Sequence, residues 1–563
     1  MKKNVFLPFV LGVLLSSAAL FSCGNNDDEP APNRIPPIVE IPNDAAALSA
    51  AKQVYPALQT LSSSFAFLIE SASDQTISFE GPENTAGPVV SRLDFAPNTQ
   101  YVVKIFNRLY RSIGEGNRAI ASIEASGSVS ANTKALAVGQ VKLNRALAYL
   151  YLVQLYGEVP LILDPNTDLV GAERASITDV YTQIVKDLTD AEAVLPAYDA
   201  QKYTPTKNAA NALLARAYLA WASNPLSQSE VDAIKNSTTD PAYSVDNAKL
   251  AKAVEYADKV IASGNYRLLP IEDQTNRSYA YKNYALYGRE YENNDEVIYS
   301  IFHLGDGIDE QGNHQAHCGF TFDFNVEEDT HIGPADIDLI NRWDEADLRR
   351  EISYATHLTD PETGNTYEYL PPVTLPRFGK SVDHSYPNSE RIAPTKNEVD
   401  RIEIRYADVL LIKAEALFEQ GKAAEALPLV NQIRTRAYGN ASHNFTALTR
   451  EALRTEIEHE FVYDQRRWLD LVRWKTLITT VKSVSEFEHF DDSYAEASKD
   501  AIGTTPAVVK IGKDGASVNA FFAKVYKHLH AKYDNIKGKY YRFPIPTGEE
   551  EEDLNILPQN PGY

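Results

Sequence analysis

A chain of 563 residues with a formal charge of −23 is too long for one simple core and too acidic to favour nucleic acid or an anionic lipid surface. Hydrophobic residues at 44% and charged residues at 23% describe ordinary globular material, so the 32 tyrosines are the unusual feature: each joins an apolar face to a polar tip and suits cores and wet recognition surfaces alike. No run of lysine and arginine is long enough to build the basic groove that single-strand binding requires.

Lys2 and Lys3 precede an apolar run from Val5 to Phe21, the form of a bacterial secretion signal over residues 1–22. Polar residues follow too soon for a permanent span. The ending Leu20-Phe21-Ser22-Cys23 resembles a lipobox, although Phe21 stands where a smaller residue is usual, and it implies a diacylated Cys23 as the mature N-terminus. Several acyl chains anchor a protein stably where one does not. Gly24 to Glu29, GNNDDE, resembles the acidic surface-export signal of Bacteroidetes lipoproteins, so an anchored protein facing the cell exterior is expected, with a plain periplasmic lipoprotein as the alternative. Residues 23–44 have little to bury and read as a flexible tether. Cys318 is then left without a cysteine partner.

Residues 45–269 carry mostly helical periodicity. Leu48, Val54, Leu58, Leu61, Phe65 and Leu68 recur at helical steps, as do Val102, Ile105, Phe106, Leu109, Ile113 and Ile120; between them 73–99 reads as a long loop of the kind that carries function. Helices are expected over 133–156, stopped by Gly157, over 178–195 with Thr178 as cap, and over 209–221 and 249–263. Small and bulky residues alternate in them, which lets antiparallel helices nest. The expected fold is mainly all-α, helix pairs stacked into a solenoid-like scaffold.

From 270 to 394 the periodicity weakens and aromatic residues crowd together, an irregular insertion in which ENNDEVIYSIF is the best strand candidate. A C-terminal helical part from 395 restores the pattern at 404–419 and 423–438, separated at Gly421. The stretch 458–474, EHEFVYDQRRWLDLVRW, places Phe461, Trp468, Leu471, Val472 and Trp474 on one stripe and reads as a structural core helix, with Arg466, Arg467, Asp470 and Arg473 pairing around it. The proline-rich end, to Tyr563, is expected to wrap the surface in extended form.

Motifs for catalysis mostly fail. Gly114-Glu115-Gly116-Asn117-Arg118-Ala119 fits a relaxed dinucleotide fingerprint but follows a helical pattern where a strand is required. Gly379-Lys380-Ser381 lacks the first glycine of a phosphate loop, Thr374 standing there. Asp164, Asn166 and Asp168 imitate a calcium loop, but Leu169 replaces the turn glycine and Ala175 the last glutamate, which leaves no assigned cofactor and structural calcium elsewhere open. His459 has no second histidine at zinc-protease spacing, and His314, His317 and Cys318 form a metal candidate without a partner fixed by spacing. Carboxylate pairs are too numerous to discriminate a glycoside hydrolase, and no Gly-x-Ser-x-Gly elbow exists. What stays positive is the aromatic crowd, because tyrosine faces stack on sugar rings. Tyr279, Tyr281, Tyr284, Tyr287, Phe320 and Phe322 are the candidate ligand contacts.

Several stretches, in order and spacing, resemble the SusD/RagB family of Bacteroidetes outer-membrane lipoproteins: the leader, RALAYLYLVQLYGEVPLI at 145–162, YTPTKNAANALLARAYL at 203–219, AVEYADKVIASGNYRL at 253–268, NDEVIYSI at 294–301, EIRYADVLLIKAEAL at 403–417, RRWLDLVRW at 466–474 and the ending PIPTGE…LPQNPGY. The resemblance implies tetratricopeptide-like helix pairs beside a loop-rich ligand half, no enzymatic activity, and capture of glycan, or of peptide in the RagB branch, for a TonB-dependent transporter of the SusC type. No family ligand residue transfers by motif. A lipid-anchored glycoside hydrolase and a protein-binding assembly scaffold are the alternatives from other classes.

Overall fold

The structure, a computed structural model, describes residues 40–59, 61–78, 86–167, 169, 171–271, 294–302, 332–334, 343–354, 357–359, 366–368, 400–485, 509–511, 516–518, 520–547 and 557–563. Its body is a row of antiparallel helices: α1 (Gln100–Ala125), α2 (Ala131–Tyr156), α3 (Ile177–Val194), α4 (Lys207–Ala222), α5 (Asn247–Ala262), α6 (Tyr406–Glu419) and α7 (Ala423–Tyr438). Each packs on the next, and α5 packs on α6 although residues 263–405 separate them in sequence. The fold is thus mainly all-α, a stacked helical scaffold as expected.

Side chains begin these helices. Ser130, Ser176, Thr206 and Asp246 each accept a backbone N–H of the first turn of α2, α3, α4 and α5. Ser176, not the expected Thr178, caps α3, since Thr178 already lies within its first turn. Gly157 ends α2 at φ +80°, a conformation open to glycine. In α4 Ala209, Ala210, Ala212, Ala215 and Ala217 are fully buried, which lets neighbouring backbones approach. Gly114 and Gly116 lie inside α1, where a Cβ on Gly116 would press on Val141, so the relaxed dinucleotide fingerprint is a helix-packing device.

Several element boundaries need correction as well. Residues 45–69 do not form one helix: Asp44–Ala51, a tighter turn at Lys52–Val54, Tyr55–Gln59, Leu61–Phe65 and a wider turn at Ala66–Glu70 follow one another. Pro56, which has no N–H to give, sits at the start of a new helix instead of the interior of an old one. Residues 401–405 extend as a strand before α6 starts at Tyr406. The stretch 458–474 is two helices, α8 (Arg450–Glu460) and α9 (Arg467–Trp474), broken by a turn in which Tyr463 and Gln465 take φ of +59° and +57°.

Strand β1 (Val297–Ile301) lies in the expected segment and pairs antiparallel with β2 (Arg401–Arg405), Val297 opposite Arg405 and Ile301 opposite Arg401. A second short ladder joins Thr76–Ser78 to Ile332–Pro334. The C-terminal tail is bound more closely than an extended surface wrap. Phe543 N donates to Leu155 O at 2.9 Å, and Asn560 Nδ2 donates to Tyr156 O at 2.9 Å and to Phe543 O at 2.7 Å. One large core runs through the row, and Trp468 within it is 1% exposed with its ring 4.5 Å from that of Phe543.

Trp468→Ala should therefore lower unfolding free energy by about 3–5 kcal/mol in urea titration, the loss typical of a buried aromatic, and a change below about 1 kcal/mol would contradict the core role of α9.

Candidate functional site

The insertion is held at both ends by buried charge. Glu296, just before β1, accepts Leu269 N–H at 2.8 Å, Arg405 Nη1 at 3.0 Å and Arg436 Nη1 at 3.1 Å. Glu460, the last residue of α8, receives Arg405 and Arg436 on Oε1 and Arg349 Nη1 at 3.1 Å on Oε2. Arg349 also pairs with Asp347 at 2.6 Å and Glu456 at 2.8 Å, and Arg405 reaches Asp464 at 3.0 Å. Such groups are tolerated in a core because each charge has opposite neighbours. His459 is stacked on Trp343 with centroids 4.0 Å apart and is driven to about 3 by burial and by Arg349. It is a neutral ring packed in the core.

A second network fixes α9. Arg467 grips Asp74 with two bonds of 2.8 and 2.7 Å, Arg466 bridges Asp408 and Asp470, and Arg473 meets Asp470 and Glu415, to which Trp474 Nε1 donates at 2.8 Å. Burial would raise Asp470, but Arg466 and Arg473 outweigh it and hold the carboxyl below its usual range. The expected pairing of Arg466, Arg467, Asp470 and Arg473 is present. Its partners Asp74, Asp408 and Glu415 are remote in sequence, which no local pattern could reveal.

Asp74 belongs to the segment leading into 79–85. There the Lys532 ammonium donates to Ser71 O and Ser73 O at 2.7 Å and to Thr76 O at 3.2 Å. Glu70, fully buried, accepts Arg466 N–H at 3.0 Å, while its other oxygen has no partner among the described residues. Burial, aided by Asp464, pushes its carboxyl up to about 8.

Between the networks lies a cavity of about 120 Å³, bounded by α2, α4, β2, α6, the 461–466 turn and α9. Tyr151, Phe461 and Tyr463 give it aromatic walls, and half-buried Gln154, Arg216 and Leu469 line it as well. Four of its carboxylates are bound to arginines, Glu403 to Arg401 at 2.9 Å, Asp408 and Asp470 to Arg466, and Asp464 to Arg405 at 3.0 Å, while Asp400 accepts Ser300 Oγ at 3.4 Å, so the lining is polar and largely paired. The aromatic residues singled out as ligand contacts, Tyr279, Tyr281, Tyr284, Tyr287, Phe320 and Phe322, lie outside the described residues, as do Cys23, His314, His317 and Cys318. Two members of the same aromatic crowd are described. Tyr299 is fully buried and donates to Asn144 Oδ1 at 2.6 Å, a core tyrosine and not a sugar platform; Phe302, half-buried, packs on Tyr203 with centroids 5.0 Å apart at the root of the insertion.

Residues 271–563 match the profile described as the SusD family. The chain belongs to the SusD family. Residues 67–219 of this SusD family member also match a profile described as "Starch-binding associating with outer membrane". SusD-like protein P2 of Formosa agariphila is 24% identical over 514 residues, 86% of this chain and 85% of the relative. A crystal structure of a SusD homolog from Bacteroides thetaiotaomicron superposes with a TM-score of 0.68 at 21% identity, covering 93% of this chain and 98% of that one. A second structure, solved with xylogluco-oligosaccharide, gives a TM-score of 0.60 at 21% identity over 80% of this chain and 88% of that one. These structural matches establish the shared fold.

Among the described residues of this SusD family member, no three His, Cys, Asp or Glu side chains gather as a metal site, and no helix is long and apolar enough to cross a membrane. Asp164 Oδ1 accepts Asn166 N at 2.8 Å, an ordinary Asx turn at the calcium-like sequence. Among the described residues Glu70 is the carboxyl with a raised pKa, the property a general acid needs, and it does not line the cavity.

Two measurements follow from this geometry. Arg405→Met leaves Glu296 and Glu460 to share Arg436, with Arg349 also on Glu460, so the group carries an excess negative charge, and urea titration should show a loss of about 3–5 kcal/mol. Glu70 binds its proton more tightly folded than unfolded, so its contribution is full below its ordinary value of 4.5 and is lost as pH rises toward about 8. Urea titrations of Glu70→Gln across that window should show a flatter decline than wild type; parallel curves would refute the assignment.

Proposed function

We propose that the chain is a lipid-anchored surface protein, tethered through Cys23, that captures an oligosaccharide with the loops of its 270–394 insertion and passes it to a partner TonB-dependent transporter without catalysing a reaction and without a cofactor. The observation that carries this reading is the double clamp. Glu296 and Arg405 fasten the entry and exit of one aromatic-rich insertion to the same strand pair on a rigid helical body. A scaffold of this kind presents a site without spending its own packing residues on it. Family membership adds support, since a protein of the same fold has been solved with xylogluco-oligosaccharide and one matched profile is described as starch-binding and associated with the outer membrane. The largely paired lining of the described cavity also offers no free carboxylate pair for glycoside hydrolysis.

Isothermal titration of the purified protein against neutral oligosaccharides and a peptide mixture tests this. Saturable glycan binding is expected, and Tyr284→Ala or Tyr287→Ala should each weaken it by about 1–3 kcal/mol, the value of an aromatic stack. Peptide binding without glycan binding would overturn the ligand class, and cleavage of any panel member would overturn the non-catalytic reading.

A further inference from the structure

A second, smaller cavity lies behind the first, where the C-terminal tail crosses α2, α4 and α9. It measures about 40 Å³. Gln154, Tyr181, Arg473, Lys475, Tyr541 and Arg542 supply its polar wall, and no carboxylate lines it among the described residues. That is unusual in a chain whose formal charge is −23. Two of the cations are already answered, Arg473 by Glu415 and Asp470 and Arg542 by Glu158. Lys475 differs. It is 5% exposed, and its ammonium has no carboxylate at ion-pair distance and no hydrogen bond among the described residues. Burial pulls it down to about 8, with Arg542 also disfavouring the charge and Glu230 supporting it from further off, which leaves it mostly protonated at neutral pH. The ring of Tyr541 lies 5.9 Å from its Nζ, a weak substitute for a carboxylate, and a buried ammonium so placed is costly unless an anion joins it or its pKa shifts.

Tyr181 completes the wall. Its ring is stacked on Trp221 at 5.3 Å and 6°, and its hydroxyl has no hydrogen bond among the described residues. Arg542 is brought in by Gly157, where any Cβ would collide with its guanidinium. Lys475 is brought in by the left-handed turn, φ +54°, that closes α9. One water needs roughly 10–15 Å³ of such space, so the cavity holds a small cluster of waters or one compact anion.

We propose that this cavity binds one tetrahedral oxyanion, inorganic phosphate or sulfate, between the Lys475 ammonium, the Arg542 guanidinium and the Tyr181 hydroxyl, and that the bound ion fastens the C-terminal tail to the end of α9. Charge-assisted bonds to such oxygens are short and strong, and guanidinium with ammonium is the usual pair that makes them. The site is independent of the glycan reading, since it lies in the helical body and uses none of the insertion's residues.

Isothermal titration of the full folded chain with sodium sulfate and, separately, sodium phosphate tests it, with ionic strength held constant by sodium chloride. One saturable site is expected. Lys475→Met should weaken it by about tenfold or more, Lys475→Arg should retain it, and Tyr181→Phe, which removes only the hydroxyl, should weaken it severalfold. Crystals soaked in selenate should show one anomalous peak at hydrogen-bond distance from Lys475 Nζ, a readout that holds even if Lys475→Met fails to fold. Absence of saturable heat and of that peak, or equal binding by wild type and Lys475→Met, overturns the site. Saturation by chloride alone overturns the tetrahedral assignment.

Discussion

Glu460 is the residue on which most of the architecture converges. Three arginines from three places meet it: Arg405 at the end of the insertion, Arg436 in α7 and Arg349 beside Trp343. Two of them share Glu296, which precedes β1. An isolated carboxylate at that depth would cost several kcal/mol. Here every charge lies between opposite charges, so the group is tolerable only when all of its members are in place. Hydrophobic contact could hold the same elements together with comparable strength, but it is not directional. Guanidinium forks on carboxylates have one good geometry, and this fixes how β1, β2, α7 and α8 meet.

The break between α8 and α9 follows from that demand. Left-handed backbone at Tyr463 and Gln465 costs of order 1–3 kcal/mol per residue, and it persists because surrounding bonds determine it. The Glu460 carbonyl accepts Arg405 Nη2 at 2.9 Å, and Arg466 N–H goes to Glu70. A straight helix would keep one set of neighbours throughout. The turn lets α8 lie against α6 and α7 while α9 lies against the Ala66–Glu70 turn. Arg467 can then reach Asp74, and α9 becomes bonded to a segment near the start of the described chain.

How much of this was legible in the sequence depends on the range of the cause. Helices α2, α4, α5 and α7 were readable because alanine spacing, Gly157 and Gly421 act within a few residues. Membership in the SusD family was readable from the order of its stretches. The strand at 401–405 is hidden because the helical pattern that runs from Ile404 overlaps its last two residues, and its pairing partner, Val297–Ile301, is far away in sequence. The break after Glu460 was missed for a similar reason, since the apolar stripe through Phe461 and Trp468 is real while the interactions that interrupt it come from Arg405 and Glu70. Neither cavity was foreseen, because each is a meeting of elements that no local pattern brings together. Lys475 carried a local hint, a lysine directly after a helix that ends in Trp474, but nothing in its neighbours says that it turns inward.

The same division of range explains why the helical scaffold was readable and the insertion was not. Once Glu296 and Arg405 secure the two ends of the insertion, α5 packs on α6 as if nothing intervened. The helical body then imposes constraints on residues at the roots, such as Tyr299 on Asn144 and Gln59 on the Phe302 carbonyl at 2.7 Å. Within the insertion the described Trp343, Asp347, Arg349 and Tyr354 are buried too, and Arg349 joins the group on Glu460, so these positions answer to partners remote in sequence and keep no local period.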